Sequence, residues 1–189
     1  MQWSEGTWTH DPGAVIMEGD DLVVEAVEGS DAWRITSYGF IHDSEHALVA
    51  PFPPDSAVEV EFTLTLEEQF DQAGVFVRAD AENWVKAGVE FADGTPNLGA
   101  VVTQGRSDWS SAPVPEWRGR RVTIRASRSE DALTVRARVG EEPFRFVRLC
   151  PLEATRALVA GPYLCAPTRS GLRVRFHRWS LTSPDASLH

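Results

Sequence analysis

The sequence predicts an all-β protein built as a two-sheet antiparallel sandwich, and two observations lead to this prediction. Apolar and polar residues alternate with a period of two along most of the chain, as in strands that bury one face. Clusters rich in Gly, Pro, Asp and Ser separate the alternating runs and are typical of turns. No segment shows helical periodicity for longer than about two turns, so helices contribute little.

The alternation is clearest at 58–66, where valine, phenylalanine and leucine fall on one side and glutamate and threonine on the other. Runs of the same kind cover 98–103, 121–126, 133–139, 144–149 and 172–177. The turn-rich separators cover 51–55, 93–96, 139–143 and 167–171. A short helix is expected only at 151–158. Many short strands with regular turns favour a sandwich.

The chain has 189 residues and no linker or break in composition, which predicts a single domain over 1–182 and a C-terminal tail over 183–189. Its apolar fraction of 42% and charged fraction of 24% are ordinary for a soluble globular protein. The net charge of −10 argues against nucleic acid or an anionic membrane surface as the main partner. The oligomeric state stays open.

No run of 18 apolar residues suggests a membrane span, and the N-terminus lacks the pattern of a signal peptide. The expected compartment is therefore the cytoplasm. Cys150 and Cys165 are expected to be reduced and buried, although a disulfide between neighbouring strands stays open. No cysteine and histidine cluster has zinc-binding spacing, so neither a metal nor a cofactor is expected.

The most informative stretch is 69–78 followed by 83–90, which reads as two strands joined by a short turn. In the second strand one face carries Trp84, Lys86 and Glu90, while the opposite face is apolar. Lys86 is the only lysine among the 18 basic residues, which indicates that a lysine is needed at this position. If the two strands form a hairpin, Gln72 and Arg78 share the polar face.

This face has the composition of a sugar-binding surface, because sugars need an aromatic ring for stacking and planar polar groups for their hydroxyls. Trp84 is predicted to stack on the ligand. Gln72, Arg78, Lys86 and Glu90 are predicted to hydrogen-bond it. Small residues at Gly74 and Gly88 would leave room above the sheet. The predicted rim consists of Asp108, Trp109, Tyr38, His42 and Asp43.

Five motifs follow one another in order: 36–46 (TSYGFIHDSEH), 69–74 (QFDQAG), 83–90 (NWVKAGVE), 101–110 (VVTQGRSDWS) and 161–167 (GPYLCAP). Together they resemble the domain-of-unknown-function family 1349, often labelled regulation-of-enolase-protein-like, over about 8–179. The resemblance implies a jelly-roll sandwich of the concanavalin A-like lectin/glucanase superfamily, whose concave face binds glycans in many distant relatives. It implies no established reaction for the family.

The leading interpretation is a binding domain, without catalysis or with weak catalysis, for a carbohydrate or another polar small molecule on the concave face. Arg78 and Lys86, the two cations of this face, favour an anionic or phosphorylated ligand. One alternative is a glycoside hydrolase or lyase using Glu90, with Lys86 expected to keep that carboxylate ionised. Another is a protein-interaction module that regulates a metabolic enzyme. The structural alternative is an ion-paired network of Arg78, Lys86 and Glu90.

Two further motifs favour structure over chemistry. His42 and His46 have the spacing of a helical metal pair, but their segment carries no helical pattern, so a role in loop hydrogen bonding is favoured. Asp108 is expected to form a turn. Asp71 is out of phase with Gln72 and should point away from the polar face.

Overall fold

The computed structural model describes residues 1–153 and 155–188, and nearly all of its regular structure is strand. Two 3-10 helices lie at Trp3–Glu5 and Pro115–Trp117. The strands are β1 Thr7–Trp8, β2 Ala14–Glu18, β3 Asp21–Glu25, β4 Ala32–Arg34, β5 Ile41–Asp43, β6 His46–Pro51, β7 Ser56–Thr63, β8 Gln72–Asp80, β9 Asn83–Ala92, β10 Thr95–Gln104, β11 Arg106–Pro113, β12 Arg121–Ser129, β13 Ala132–Val139, β14 Arg145–Pro151, β15 Val159–Cys165 and β16 Arg173–Thr182.

The strands form two seven-stranded antiparallel sheets and one small hairpin. The first sheet has the order β1-β6-β15-β8-β9-β10-β11, and the second has the order β14-β13-β12-β7-β16-β3-β2. Strands β4 and β5 pair only with each other and form what we call the cover hairpin, residues 32–43. The predicted all-β, two-sheet jelly-roll sandwich is thereby confirmed.

The inner faces of the two sheets make one large apolar core, because alternate residues of each strand turn inward. In β9 the inward residues are Val85, Ala87, Val89 and Phe91, as the alternation predicted. Burial of apolar area contributes about 25 cal/mol per Å², so this core supplies most of the driving force for folding. The polar residues of the same strands therefore face outward, and they determine what each outer face can do.

The centre of the first sheet is a meander of β8, β9 and β10. The predicted hairpin of β8 and β9 is present and sets Gln72 opposite Glu90, and a bulge near Arg78 adjusts its end. The turn between β9 and β10 has positive φ at both Asp93 and Gly94, which fits the right-handed twist of the flanking strands. This register carries the polar residues of β8 and β9 to one outer face.

Gly74 and Gly88 lie directly opposite each other in β8 and β9. A Cβ on either glycine would lie 2.1 Å from a backbone carbonyl oxygen of the partner strand. Their expected role as spacers above the sheet therefore needs revision, since they allow the two backbones to approach closely.

Most predicted strands are present with ends moved by a few residues, but the short helix expected at 151–158 is not. Its described residues form the end of β14, a turn and irregular chain, and Ala154 lies outside the described residues. Cys150 and Cys165 are both buried and unpaired, as expected. Among the described residues, no helix is long and apolar enough to cross a membrane.

The predicted tail packs against the second sheet over its described part. The Asp185 carboxylate accepts hydrogen bonds from Arg125 Nε at 2.7 Å and from Arg136 Nε at 2.9 Å. His189 lies outside the described residues. Residues 183–188 thus belong to the outer face of the second sheet.

Candidate functional site

A cavity of about 340 Å³ lies on the outer face of the first sheet. The volume is at the lower end of the range found for small-ligand sites, about 300–1,000 Å³. The cavity is lined by Gly29, Asp31, Trp33, Tyr38, Phe40, His42, Phe70, Gln72, Lys86, Glu90, Val101, Trp109, Pro167 and Thr168. Strands β8, β9, β10 and β11 supply its floor and one wall, and the cover hairpin supplies the facing wall.

The cover hairpin is held in place by a second, smaller apolar cluster on the outer face of the first sheet. Ala32 packs there with Phe76, Trp84 and Tyr163, and Trp33 lies against the cluster. Polar contacts complete the attachment, since the backbone N–H of Arg34 donates to Ser107 Oγ at 2.9 Å. The outer face is therefore a roofed site rather than an open groove.

The floor of the cavity contains a buried ion pair. Lys86 Nζ donates to Asp31 Oδ1 at 2.9 Å and to Gln72 Oε1 at 2.8 Å. The amide of Gln72 in turn donates to Asp31 Oδ1 at 3.3 Å. The ammonium has three donors, and two of them are used in this triangle.

Burial alone would favour the neutral forms of Lys86 and Asp31, but their mutual attraction outweighs it. Burial raises the pKa of Asp31, and the Lys86 ammonium then brings that pKa below its ordinary value. Conversely, burial lowers the pKa of Lys86, and Asp31 raises it above its ordinary value. Both side chains are thus charged, and the ionised form of each is stabilised by the other.

Glu90 lines the same floor without joining the triangle. Among the described residues no group donates a hydrogen bond to its carboxyl, although Gln72 and Asn97 are its neighbours on β8 and β10. Asn97 donates to the backbone oxygens of Ala92 and Thr95. Burial raises the pKa of Glu90 to about 7. The positive charge of Lys86 lowers this pKa, whereas the negative charge of Asp31 raises it further. Lys86 thus favours the ionised form of Glu90, as expected, but burial outweighs this attraction.

The wall on the cover hairpin is aromatic. Trp33 meets Tyr38 edge-on at 5.7 Å between ring centroids, and Tyr38 stacks on Phe40 at 5.2 Å. Phe40 then meets His42 edge-on at 4.6 Å. Pairs of this geometry add about 0.5–1.5 kcal/mol each beyond area burial, so the four rings support one another.

Trp109 and Phe70 supply further aromatic surface to the cavity. Trp109 lies opposite Val101 in the pairing of β10 and β11, and 44% of its surface is exposed. Phe70 precedes β8 with a positive φ of 67°, which is uncommon for a bulky residue. Its backbone N–H donates to the Phe91 carbonyl at 2.6 Å, and this bond holds the turn.

The cavity brings together six of the ten predicted residues. They are Gln72, Lys86, Glu90, Trp109, Tyr38 and His42. Four others lie outside it, namely Arg78, Trp84, Asp43 and Asp108. The prediction located the right face of β8 and β9, but it extended the site too far along those strands.

Trp84 is the main correction. Its side chain has the predicted direction, but it is only 4% exposed and packs against Phe76 at 5.5 Å between ring centroids. An indole enclosed by the smaller apolar cluster offers no free face for stacking. Trp109 is the exposed indole of this sheet that lines the cavity.

Arg78 and Asp43 form a separate ion cluster. Arg78 Nη1 donates to Asp43 Oδ1 at 3.1 Å and to Glu45 Oε1 at 2.9 Å. Burial raises the pKa of Glu45 despite the guanidinium beside it. The predicted ion-paired network thus exists around Arg78, but its acidic partners are Asp43 and Glu45 rather than Glu90.

Asp108 lies within β11 rather than in a turn, and it points away from Trp109 because successive strand residues alternate. It pairs with Arg148 Nη2 at 2.9 Å. Asp71 also points away from the polar face, as predicted, and pairs with Arg169 Nη2 at 2.7 Å.

His46 makes hydrogen bonds within the fold rather than facing the cavity. His46 Nε2 accepts a hydrogen bond from the Val27 backbone, and His46 Nδ1 lies 3.1 Å from the His10 carbonyl oxygen. Burial lowers the pKa of His46. His42 faces the cavity instead. No group of three metal-binding side chains occurs in the described part of the chain.

Sequence reasoning missed Asp31, Trp33, Phe40 and Phe70, which all line the cavity. Asp31 lies 55 residues before Lys86, and no local pattern marks it as the partner. Two signals were available for the aromatic wall, because Tyr38, Phe40 and His42 follow one another at a spacing of two residues and Trp33 precedes the same turn.

Comparison with known proteins gives the family. The model of the family described as "Protein of unknown function (DUF1349)" matches residues 8–184, so the chain belongs to that family. "Regulation of enolase protein 1" of Saccharomyces cerevisiae is 37% identical over 181 residues, 96% of this chain and 91% of the yeast protein. A solved structure described as a functionally unknown protein from Saccharomyces cerevisiae superposes with a TM-score of 0.91 at 35% identity, covering 98% of this chain and 100% of that one.

More distant structures share the fold alone. A xylan beta-1,4-xylosidase from Bacillus halodurans superposes with a TM-score of 0.70 at 16% identity, over 92% of this chain and 35% of the xylosidase. An alginate lyase from Klebsiella pneumoniae superposes with a TM-score of 0.57 at 11% identity, over 92% of this chain and 85% of the lyase.

Proposed function

We propose that this member of the family binds a small carbohydrate, or a comparable polyhydroxylated molecule, in the cavity on the outer face of the first sheet. The observation that supports the proposal most is the combination of an aromatic wall with a polar, hydrogen-bonding floor. Sugars present C–H surfaces on one side and hydroxyls around the rim, and this combination offers a partner to each.

Individual groups have distinct roles in this proposal. The exposed indole of Trp109 and the ring of Tyr38 provide stacking surfaces. Lys86 retains one N–H donor beyond its bonds to Asp31 and Gln72, and that donor is available to a ligand hydroxyl. The Glu90 carboxyl is free to accept or donate a hydrogen bond.

The charge balance of the floor argues against the anionic ligand favoured by the sequence. Arg78 is engaged with Asp43 and Glu45 outside the cavity. The remaining cation, Lys86, is paired with Asp31, and Glu90 adds a second carboxyl. A neutral or cationic ligand suits this floor better, since an anion would face at least one unpaired carboxylate.

Calorimetry against a panel of neutral, acidic and basic monosaccharides and disaccharides tests the proposal. Trp109→Ala is expected to weaken binding by up to about tenfold, because an aromatic contact contributes about 0.5–1.5 kcal/mol beyond its area burial. Phe146→Ala is the matched control, since Phe146 is a 54% exposed ring on β14 of the second sheet. No binding at millimolar sugar, or equal losses in the two variants, would contradict the proposal.

A second candidate is glycoside cleavage, and the pKa values of two cavity carboxyls favour it. Burial raises the pKa of Glu90 to about 7, while the pKa of Asp31 is brought below its ordinary value beside Lys86. Divergent values of this kind are typical of an acid and base pair. The xylosidase that shares the fold makes chromogenic xylosides a reasonable first substrate. Turnover abolished in Glu90→Gln would support cleavage, and turnover unchanged in that variant would exclude Glu90 as the acid.

The protein-interaction alternative draws its support from the name of the yeast relative, "Regulation of enolase protein 1". It predicts binding of a protein partner to the wild-type chain with no response to any sugar in the panel. The cytoplasm is the compartment we propose, because Cys150 and Cys165 are free thiols and burial raises the pKa of both.

A further inference from the structure

The floor of the cavity contains one carboxyl that makes no hydrogen bond within the described protein. Three charged side chains line the cavity: Asp31, Lys86 and Glu90. The first two neutralise each other at 2.9 Å, and Gln72 joins them through both ends of its amide. Glu90 is partly buried and accepts no hydrogen bond from the described residues, so it is the charged group of the cavity that can pair with a ligand.

The side chains next to Glu90 on β8, β9 and β10 make their hydrogen bonds to other groups. On β8 the amide of Gln72 is committed to Asp31 and Lys86. On β10 the side-chain amide of Asn97 donates to two backbone oxygens. On β9 itself Lys86 is turned to Asp31. The cover hairpin contributes rings and His42 to the cavity rather than a cation.

The rings around the cavity favour the same kind of ligand group. Trp33, Tyr38, Phe40, Phe70 and Trp109 all line it. The negative face of an aromatic ring attracts a cation, by about 0.5–1 kcal/mol at exposed sites and by about 2 or more when the cation is desolvated. Several rings around one site are a known arrangement for recognising an ammonium group, and a carboxyl beside them adds a charged partner.

We propose that the ligand carries a protonated amine, which binds between Glu90 and the aromatic rings while the hydroxyls of the ligand engage Gln72 and Lys86. The expected class is an amino sugar or another small polyhydroxylated amine. This inference rests on the proposed function for its hydroxyl contacts, but the ammonium contact is a separate claim. Acidic sugars are expected to bind least well, because they would face Glu90 directly.

Binding of the amine has a consequence for protons. An ammonium beside Glu90 stabilises the ionised carboxylate, so binding near pH 7 should release the proton that part of the population carries there. About 0.5 proton per bound ligand is expected at a pH equal to the pKa. A neutral sugar bound to the same rings should release much less.

Calorimetry at pH 7 with glucosamine, glucose and glucuronic acid tests the proposal, in two buffers of different ionisation enthalpy. The wild-type chain is expected to bind glucosamine about tenfold or more tightly than glucose, since a charge-assisted contact contributes about 1.5–3 kcal/mol. Glu90→Gln should remove that preference and the proton release, so that it binds glucosamine no more tightly than glucose. Glu90→Asp should restore part of both.

Glu141→Gln is the matched control, because it removes the same charge at a 93% exposed position in the turn between β13 and β14. It should leave the preference for glucosamine unchanged. Equal affinity for glucosamine and glucose, or a preference that survives in Glu90→Gln, would overturn the amine inference while leaving carbohydrate binding intact.

If none of the three sugars binds, the proposed function fails, and tetramethylammonium then tests the ammonium contact alone. Thermal stabilisation by this cation in the wild-type chain, absent in Glu90→Gln, would support the cation site without a sugar. No stabilisation by the cation would overturn the inference as well. The thermal unfolding midpoint of each variant without ligand shows that it is folded.

Discussion

The two outer faces of this sandwich use charged residues in different ways. On the second sheet, Arg125 is bound to Glu59 at 2.6 Å and to Asp185 at 2.7 Å, and it also reaches Thr182 and the Ser183 carbonyl. On the first sheet, Lys86 and Asp31 form one buried pair, and Glu90 beside them has no hydrogen-bond partner among the described residues. Both faces belong to strands with the same alternating pattern.

The difference shows how to recognise a candidate site among charged strand residues. Around Arg125 the guanidinium and its carboxylates are largely buried, but each has a partner, so the network leaves nothing for a ligand. On the first sheet, Glu90 lies partly buried beside the Lys86–Asp31 pair without a hydrogen bond from the described residues, so it can pair with a ligand. A carboxyl that is available in a cavity, rather than charge itself, distinguishes the first sheet.

Lys86→Met should have the largest effect on stability. Removal of the ammonium leaves Asp31 buried without its cation, and breaking such pairs typically costs about 3–5 kcal/mol. Urea unfolding at pH 7 measures the loss. Arg121→Ala on the second sheet is the comparison, since Arg121 is 61% exposed and pairs with Glu61 at 3.4 Å. It should cost about 0–1 kcal/mol. Similar losses in the two variants would mean that the two faces do not differ in the way described.

The pH dependence of stability should reveal the raised pKa of Glu90 in the folded protein. Its folded pKa of about 7 lies above the ordinary glutamate pKa of 4.5, so between these two values the folded protein binds more protons than the unfolded chain. Stability therefore falls as the pH rises through this window. Relative to Glu90→Gln, the wild-type chain should lose about 2–3 kcal/mol between pH 4.5 and pH 8. Parallel pH profiles of the unfolding free energy in the two proteins would refute a raised pKa.

Asp185→Ala should have a smaller effect than Lys86→Met. It removes one carboxylate shared by Arg125 and Arg136, but Arg125 keeps its bonds to Glu59, Thr182 and Ser183. The expected loss is about 1–2 kcal/mol, because a largely buried guanidinium loses one charged partner, and ligand affinity should not change because the cavity lies on the other sheet. Chemical unfolding and calorimetry of the same sample check both statements. A change in ligand affinity would show that the two faces are coupled.

Much of the fold could be predicted because strand periodicity is local. The alternation in β7, β12 and β13 reports which residues turn inward, and the structure places those residues in the core. The Asp93–Gly94 turn has residue types suited to its positive φ values. The helix expected at 151–158 failed because a short apolar and charged run carries no signal that separates helix from irregular chain.

The candidate site was predictable only where it follows the register of β8 and β9. Alternation indicated that Gln72, Lys86 and Glu90 share a face, and the structure gathers them in the cavity. The same pattern could not tell that Trp84 is covered while Trp109 is exposed, because covering depends on a distant segment. That segment is the cover hairpin, and Asp31 directly precedes it.

The sequence by itself determined the strands, the inward and outward faces and the polar stripe on β9, since these follow from the geometry of each strand and its neighbours along the chain. Only the tertiary structure decided which outward residues form a site. Folding of the cover hairpin over the first sheet buries Trp84, pairs Asp31 with Lys86, and leaves Glu90 as a carboxyl without a partner in the described protein. Whether a side chain is ionised and available to a ligand depends on its burial and its hydrogen-bond and charge partners. Those are set by residues far apart in the chain.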